Sequence, residues 1–513
     1  MSGTVSASAP SPAAAARPRS LGARAAARLH RVPRGLVPCA AVAFACASAF
    51  AVVTPTFQGP DEVSQLSHAQ YIATHGRPPK PVQPARGQPI FLPPDISTTW
   101  RGIPWSVLGR PYWSPSLSAA LDRRLDSGLA DTVARGPTAV TSYPPLYFTL
   151  QAGVWRAGFW GDTLDRVLLM RLFSALLAAV TVALTFMFVR ELMPSAPWAW
   201  RVGALAVGFQ PVFAFMGGSI NNDNLVYALG AALLWLLARA FRRGLDARAG
   251  AWIGAVLAAA LLTKGSAYGL FPGLAVGLAV LVWRAGRGAR AAPARGAALA
   301  LGLPLGAYAA WLAFQAAALG TVGATATGNL TSGAVEGSTS ISGQLSYLWQ
   351  WYLPRLWFMQ QWFPLQSHYP LWDTYITAFV GRFGWFQYGF PSWVNVTAGI
   401  VYAGVVALAA TALYRFRAAL HGRAGELLTY VALIGGLALF VAVAGYRFRV
   451  ATGFYFEQVR YLFPLIGLYG ALVAVAARGA GPRWGRAVGA FLVVLAAGHL
   501  IAALILTFNR YYV

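Results

Sequence analysis

The sequence predicts an all-α, polytopic membrane protein with about eleven transmembrane helices. Three observations predict it. Hydrophobic residues make up 57% of the 513-residue chain and charged residues only 11%, against about 25% charged in a soluble domain. Mean hydropathy is +0.54, and the apolar residues gather in runs long enough to cross a bilayer. The basic residues fall in short clusters between those runs, which is how loops are held on the cytoplasmic side. That layout turns the net charge of +25 away from nucleic acid and toward a lipid bilayer as partner.

Residues 1–35 are rich in Ala, Pro and Ser, with six Arg and no acid. They are expected to form a disordered basic cytoplasmic tail. The first apolar run, about Leu36 to Thr54, followed by small residues in "ASAFA", resembles a cleavable signal. Its length of about 28 Å as a helix favours an uncleaved signal anchor instead. Cys39 and Cys46 lie in this run about 10 Å apart by helical rise, too far to bridge. Zinc-ligand spacing and phosphate-cradling glycine loops are absent from the sequence.

Ten further apolar stretches follow, at about 171–189, 201–218, 224–241, 250–263, 267–283, 297–318, 396–414, 427–445, 460–477 and 487–507. The stretch Pro144–Trp160 starts with two prolines, contains Arg156 and is rich in aromatics, so it reads as an interfacial helix. With that reading and a cytoplasmic N-terminus, the inner segments hold 22 of the 40 basic residues and three of the 15 acids. If 144–160 spanned, every later Arg cluster would face outward, against the positive-inside rule. The domain beyond residue 35 therefore carries two large extracytoplasmic loops, at about 55–170 and 319–395. The inner loops are too short for a domain, so any chemistry is extracytoplasmic. Nucleotide sugars are not normally supplied there, and an activated substrate would arrive on a lipid carrier.

Four polar groups meet this outer face. "PDEV" puts Asp61 and Glu62 after span one, with His68 seven residues beyond Asp61. "SINNDNLVYAL" puts Asn221, Asn222 and Asp223 between spans three and four. "LLTKGSAYG" places Lys264, one of two lysines in the chain, between spans five and six. "FYFEQVRYLFPL" brings Glu457, Arg460 and Tyr461 to the start of span ten. Ionisable groups at membrane depth are costly and mark functional sites. Each also has a plainer reading. The Asn/Asp turn caps the next helix, Lys264 and Arg460 snorkel to headgroups, the Asp-Glu pair starts a helix, and His68 is an ordinary interfacial side chain. Their convergence on one face is the stronger signal.

The order of these motifs, with "YPPLYFTL" before span two and "GRFGW" and "FPSWV" before span eight, resembles the GT-C superfamily of integral-membrane glycosyltransferases. The resemblance covers about residues 36–475. It is closest to a bacterial branch of predicted membrane proteins of unassigned function, and more distant from protein O-mannosyltransferases and lipid A aminoarabinose transferases. It implies a GT-C fold in a bacterial plasma membrane, a polyprenyl-phosphate sugar as donor, and a catalytic acid in the first outer loop. That acid matches Asp61, with Glu62 beside it. Asp223 matches the second outer-loop acid, Lys264 the outward lysine, and Arg460 and Tyr461 the late Arg-Tyr pair. The protein mannosyltransferases bear a soluble domain that this chain lacks, so the expected acceptor is an envelope glycan or glycolipid.

Transfer from a lipid-phosphate sugar expels phosphate, a good leaving group, so one carboxylate suffices as base on the acceptor hydroxyl. Asp61 is the expected base and Glu62 its support, with the reverse assignment open. Lys264, Arg460 and Tyr461 are the expected phosphate site. Asn221, Asn222, Asp223, His68, His368 and Asp373 are candidates to contact sugar or acceptor. Asp61 and Asp223 are the pair that would hold Mg²⁺ or Mn²⁺. Two carboxylates on separate loops are a minimal set, and the metal stays open with none preferred. The aromatics of 347–375 offer sugar-stacking faces, although an interfacial belt explains most of them. A transporter or flippase of polyprenyl-linked saccharides is the alternative function, and an inactive scaffold a third. A transporter calls for charges near mid-membrane, whereas here they sit at span ends.

Overall fold

The computed structural model describes residues 33–80, 93–103, 114–127, 143–320, 339–363 and 370–513, and every structural statement below concerns these. Most of the expected tail, 1–35, and His368 lie outside them.

The chain is a helical bundle. Helix α1 (Leu36–Val53) is apolar on all sides and has the length to span a bilayer. A turn leads into α2 (Glu62–His75), and two short helices follow, α3 (Pro94–Gly102) and α4 (Pro115–Asp126). Next comes α5 (Leu146–Ala157), the element expected at the interface. Its 12 residues reach only about 18 Å, too short to span. Its buried face of Tyr147, Phe148, Ala152 and Trp155 packs on α2 and on α6 (Thr163–Leu192). Asp162 and Asp165 close a capping box that starts α6.

The remaining long helices are α9 (Asp223–Arg243), α11 (Phe271–Arg284), α12 (Ala291–Phe314), α15 (Ser392–Arg415), α17 (Ala424–Thr452), α18 (Ile466–Gly479) and α19 (Gly481–Tyr512), with the short α16 (Arg417–His421) joining α15 to α17. A 3₁₀ turn, Gly265–Leu270, extends α11 at its start, and another, Val459–Leu465, extends α18. Together with α1 and α6, nine helices among the described residues have the length and apolarity to cross a membrane.

Two of the eleven expected spans differ from that pattern. The third is broken into α7 (Pro197–Gly208) and α8 (Pro211–Gly217), bent by 66°. Pro211 has no N–H to continue the helix. Gln210 fills the gap: its side-chain oxygen accepts from Phe213 N, and its Nε2 donates to Phe379 O at 2.6 Å. The fifth, α10 (Ala247–Leu261), has only 15 residues. The count by length and apolarity is therefore nine, or ten with the bent pair, rather than eleven.

Small residues let the helices approach, as is usual in membrane bundles. A Cβ on Gly203 of α7 would stand 2.7 Å from Gly470 O of α18, and one on Gly470 would stand 2.6 Å from Gly203 O. Between α12 and α15 the chain forms α13 (Ile341–Tyr352), α14 (Thr377–Gly381) and a hairpin of β1 (Arg382–Phe383) and β2 (Tyr388–Gly389).

The helices also separate charge. Asp223 begins α9 and Arg242 and Arg243 end it, about 30 Å away. At that second end Glu191 meets Arg242 at 3.2 Å and Arg243 at 3.4 Å, and Arg423 holds Glu426 at 2.8 Å. Two acids of the expected inner loops are thus neutralised by Arg clusters at one end of the bundle. The candidate site stands at the other.

Candidate active site at the Asp61 end of the bundle

Three loops and one helix start meet here. The turn after α1 carries Asp61, which precedes α2 with φ 61°. Its side chain does not cap the helix, so it is available to other groups. Asp223 opens α9, Lys264 ends the link between α10 and the 3₁₀ turn, and Arg460 lies in the 3₁₀ turn before α18.

These four form an alternating chain of charge. Arg460 Nη2 donates to Asp61 Oδ2 at 2.8 Å, and Arg460 Nε stands 3.7 Å from Asp223 Oδ2. Lys264 Nζ donates to Asp223 Oδ1 at 2.6 Å. The Asp61 side chain is 39% exposed, while those of Arg460 and Asp223 are each 3% exposed. Asp61 is therefore the open end of a buried network. Its Oδ1 makes no hydrogen bond with a described residue, and Arg460 Nη1, buried, has no hydrogen-bond partner either. The first is a free acceptor and the second a free cationic donor, on two side chains joined by the Nη2–Oδ2 bond.

Aromatic rings wall the cations. Lys264 Nζ lies 5.0 Å from the Tyr461 ring and 5.8 Å from that of Tyr143. Arg460 lies 5.2 Å from the Tyr461 ring and 5.6 Å from that of Phe386, within reach of a cation–π attraction. The Tyr461 hydroxyl accepts from Arg460 Nη2 at 3.4 Å. Burial lowers the Lys264 pKa, and Asp223 opposes that shift. Burial likewise raises the Tyr143 hydroxyl.

Glu62 has a different position from the one expected of a catalytic partner. It is fully buried and bound by Arg171 through Nε at 2.8 Å and Nη2 at 2.6 Å. It also accepts from the backbone N–H of Phe57 at 2.8 Å and of Ile220 at 3.1 Å. Arg171 in turn donates to the carbonyls of Ala51, Thr54 and Pro55 at the end of α1. Glu62 is thus turned away from the opening, where it clamps the Asp61 turn to α6 and the Asn turn.

Asn221 and Asn222 also hold the loops together. Asn221 donates to Pro60 O at 3.0 Å and accepts from Asp223 N, while Asn222 bonds Gln65 and Thr263 O. His68 stacks on Phe148 at 3.9 Å within the α2–α5 packing. Asp373 lies in a π-helical turn, Trp372–Ile376, immediately before α14. Glu457, close in sequence to Arg460, is instead buried beside Tyr347, whose hydroxyl donates to it at 2.6 Å.

The proposed metal pair does not fit a divalent cation. Both carboxylates face the Arg460 guanidinium, and Asp223 is also held by Lys264. A cation there would be repelled by two fixed positive charges. Among the described residues, no group of three or more His, Cys, Asp or Glu is placed to hold a metal.

Sequence reasoning missed Arg171, Tyr143 and Phe386. Arg171 was visible as a lone arginine opening an apolar run, a costly placement that calls for a partner. Phe386 lies within the "GRFGWFQYGF" hairpin. The only non-glycine residues with positive φ among the described residues are Phe57 (68°), Asp61 (61°) and Phe386 (61°). For bulky side chains this backbone is strained, and such strain gathers at functional sites. The three are linked: Trp385 Nε1 donates to Phe57 O at 3.4 Å, and Phe386 and Asp61 both face Arg460.

No curated protein matches the chain. Among solved structures, it is similar to the Archaeoglobus fulgidus oligosaccharyltransferase in the apo form, at 12% identity and a TM-score of 0.45. It is also similar to the archaeal oligosaccharyltransferase AglB from Archaeoglobus fulgidus in complex with an inhibitory peptide and a dolichol-phosphate, at 13% identity and a TM-score of 0.47. Each match covers 93% of this chain and 56% of the other, so the chain spans little more than half the length of those proteins. Residues 44–469 match the family described as "Predicted membrane protein (DUF2142)", and the chain belongs to that family.

Proposed function

We propose that the protein is a GT-C-type membrane glycosyltransferase that moves a sugar from a polyprenyl-phosphate donor to a hydroxyl of an extracytoplasmic glycan or glycolipid. The observation that carries this reading is the pairing of a free carboxylate oxygen, Asp61 Oδ1, with an unpartnered guanidinium donor, Arg460 Nη1, at the open end of a buried charge network. In the proposed step, Asp61 Oδ1 takes the proton from the acceptor hydroxyl. The acceptor oxygen bonds the anomeric carbon as the bond from that carbon to the phosphate oxygen breaks. The electron pair leaves on the phosphate, where Arg460 Nη1 and Lys264 balance the added charge. A single displacement inverts the anomeric centre.

Two cations and two anions in the network cancel, so it is the unpartnered Arg460 Nη1, rather than net charge, that offers a phosphate oxygen its place. Asp223 supports this by holding Lys264 and standing beside Arg460. One observation favours transport instead. The broken span at Gln210 is the kind of discontinuity that transporters use near mid-membrane. There it is closed by its own hydrogen bonds, and no ionisable side chain occupies the break. The test is mass analysis of envelope glycans from a deletion strain complemented with the wild-type chain or with Asp61→Asn. Loss of one sugar, restored only by the wild-type chain, supports transfer. Restoration by both contradicts it.

A further inference from the structure

At the far end of α2 from Asp61, a cavity of about 410 Å³ opens between α2, α3, α4, α5 and the start of α6. That volume lies in the range of about 300–1,000 Å³ common to small-molecule sites. Its wall includes Gln70, Asp95, Leu125, Trp155, Thr163 and Arg166. Gln70 is nine residues from Asp61, about 14 Å along the helix axis and on its opposite side. The cavity is therefore separate from the charge network.

Its polar groups are fixed and unbalanced. Gln70 Nε2 donates to both oxygens of Asp95, at 3.0 and 2.8 Å, and Thr163 Oγ1 donates to Asp95 Oδ2 at 3.0 Å. These bonds orient the Gln70 amide, and its Oε1 is left without a partner although the residue is only 6% exposed. An unpaired buried acceptor is destabilising, and a donor on a ligand relieves it. An ionised carboxylate offers about four acceptor sites, and Asp95 uses three. Beside these acceptors stands an apolar wall of Leu125 and Trp155, with the Arg166 guanidinium 4.9 Å from the indole ring.

The chemistry narrows the ligand. Asp95 and Asp162, both on the wall, repel a phosphate or another anion. Arg166 disfavours a cation. A neutral molecule with several hydroxyl donors and one C–H face matches the acceptors on one side and the Leu125 side chain on the other. We propose that this cavity is a saccharide-binding site for a neutral sugar unit of the acceptor, remote from the point of transfer. Naming that sugar as part of the acceptor rests on the transferase reading; the binding itself does not.

The test uses the full chain in lipid nanodiscs, applied to a printed array of neutral oligosaccharides. Wild-type protein is expected to be captured on a subset of the neutral glycans. Asp95→Asn is expected to weaken capture at least tenfold. Leu125→Trp, which fills the cavity while leaving the hydrogen bonds in place, is expected to do the same. Asp61→Asn is expected to keep capture within twofold, which separates this site from the failure or success of the transfer reading. Capture no greater than that of empty nanodiscs, or capture unchanged in both cavity variants, would overturn the proposal.

Discussion

Arg460 is shared by two carboxylates: Nη2 donates to Asp61 at 2.8 Å and Nε stands 3.7 Å from Asp223. Only a planar fork reaches both at once. A lysine is a single point charge on a flexible stem. Arg460→Lys is therefore expected to keep the fold and lower transfer by about 100-fold or more, the effect of removing one preorganised donor. Transfer within threefold of wild type, measured on the purified chain, would show that Arg460 does not act at the reacting centre.

Glu62 and its neighbour Asp61 are expected to respond in opposite ways. Glu62→Ala leaves Arg171 buried without its counter-charge, and breaking a buried pair in this way costs about 3–5 kcal/mol. Thermal unfolding in detergent is expected to show a large loss of stability. A Glu62→Ala chain that unfolds like wild type but has lost transfer would return Glu62 to the catalytic machinery.

Phe386 combines a strained backbone with a ring 5.6 Å from Arg460. Phe386→Gly relieves the positive φ and removes the ring. The fold is expected to hold while transfer falls about fivefold, equivalent to a cation–π contact of about 1 kcal/mol. A drop in stability with unchanged specific activity would make the ring a packing group only.

Glu457 supplies a pH dependence. Burial raises its pKa to about 7, with the Tyr347 hydrogen bond opposing that rise. A carboxyl raised on folding binds its proton more tightly in the folded state, so its stabilisation is complete below the unfolded value. It is lost as pH rises from about 4.5 to about 7. The expected effect is on the order of 3 kcal/mol. Unfolding midpoints measured from pH 4.5 to 8 should fall over that window in the wild type and flatten in Glu457→Gln. Parallel curves for the two chains would remove Glu457 as the cause.

The bundle was largely legible because hydropathy is local: every apolar run but the third became one helix, with ends within about eight residues of those expected. The break at Gln210 was not, although Pro211 lay inside the third run, because the side chain that repairs it bonds Phe379, 169 residues away. The site was legible in part. Charge is so scarce here that Asp61, Asp223, Lys264 and Arg460 stood out, and they do assemble. Glu62 could not be separated from Asp61 in the same way. Its fate is decided by Arg171, 109 residues on, and by a left-handed turn that sends neighbouring side chains in opposite directions. The hairpin that delivers Phe386 has two residues per strand, too few for an alternating pattern to show.

The central claim is that Asp61 is the base of a transfer reaction, and it is tested most directly by the single-turnover rate of sugar transfer from a polyprenyl-phosphate sugar. The measurement compares the purified wild-type chain with Asp61→Asn in nanodiscs. The substitution keeps the shape of the side chain and removes the basic oxygen. A loss of 100-fold or more, with thermal unfolding unchanged, is the predicted result. A rate within threefold of wild type would contradict the assignment.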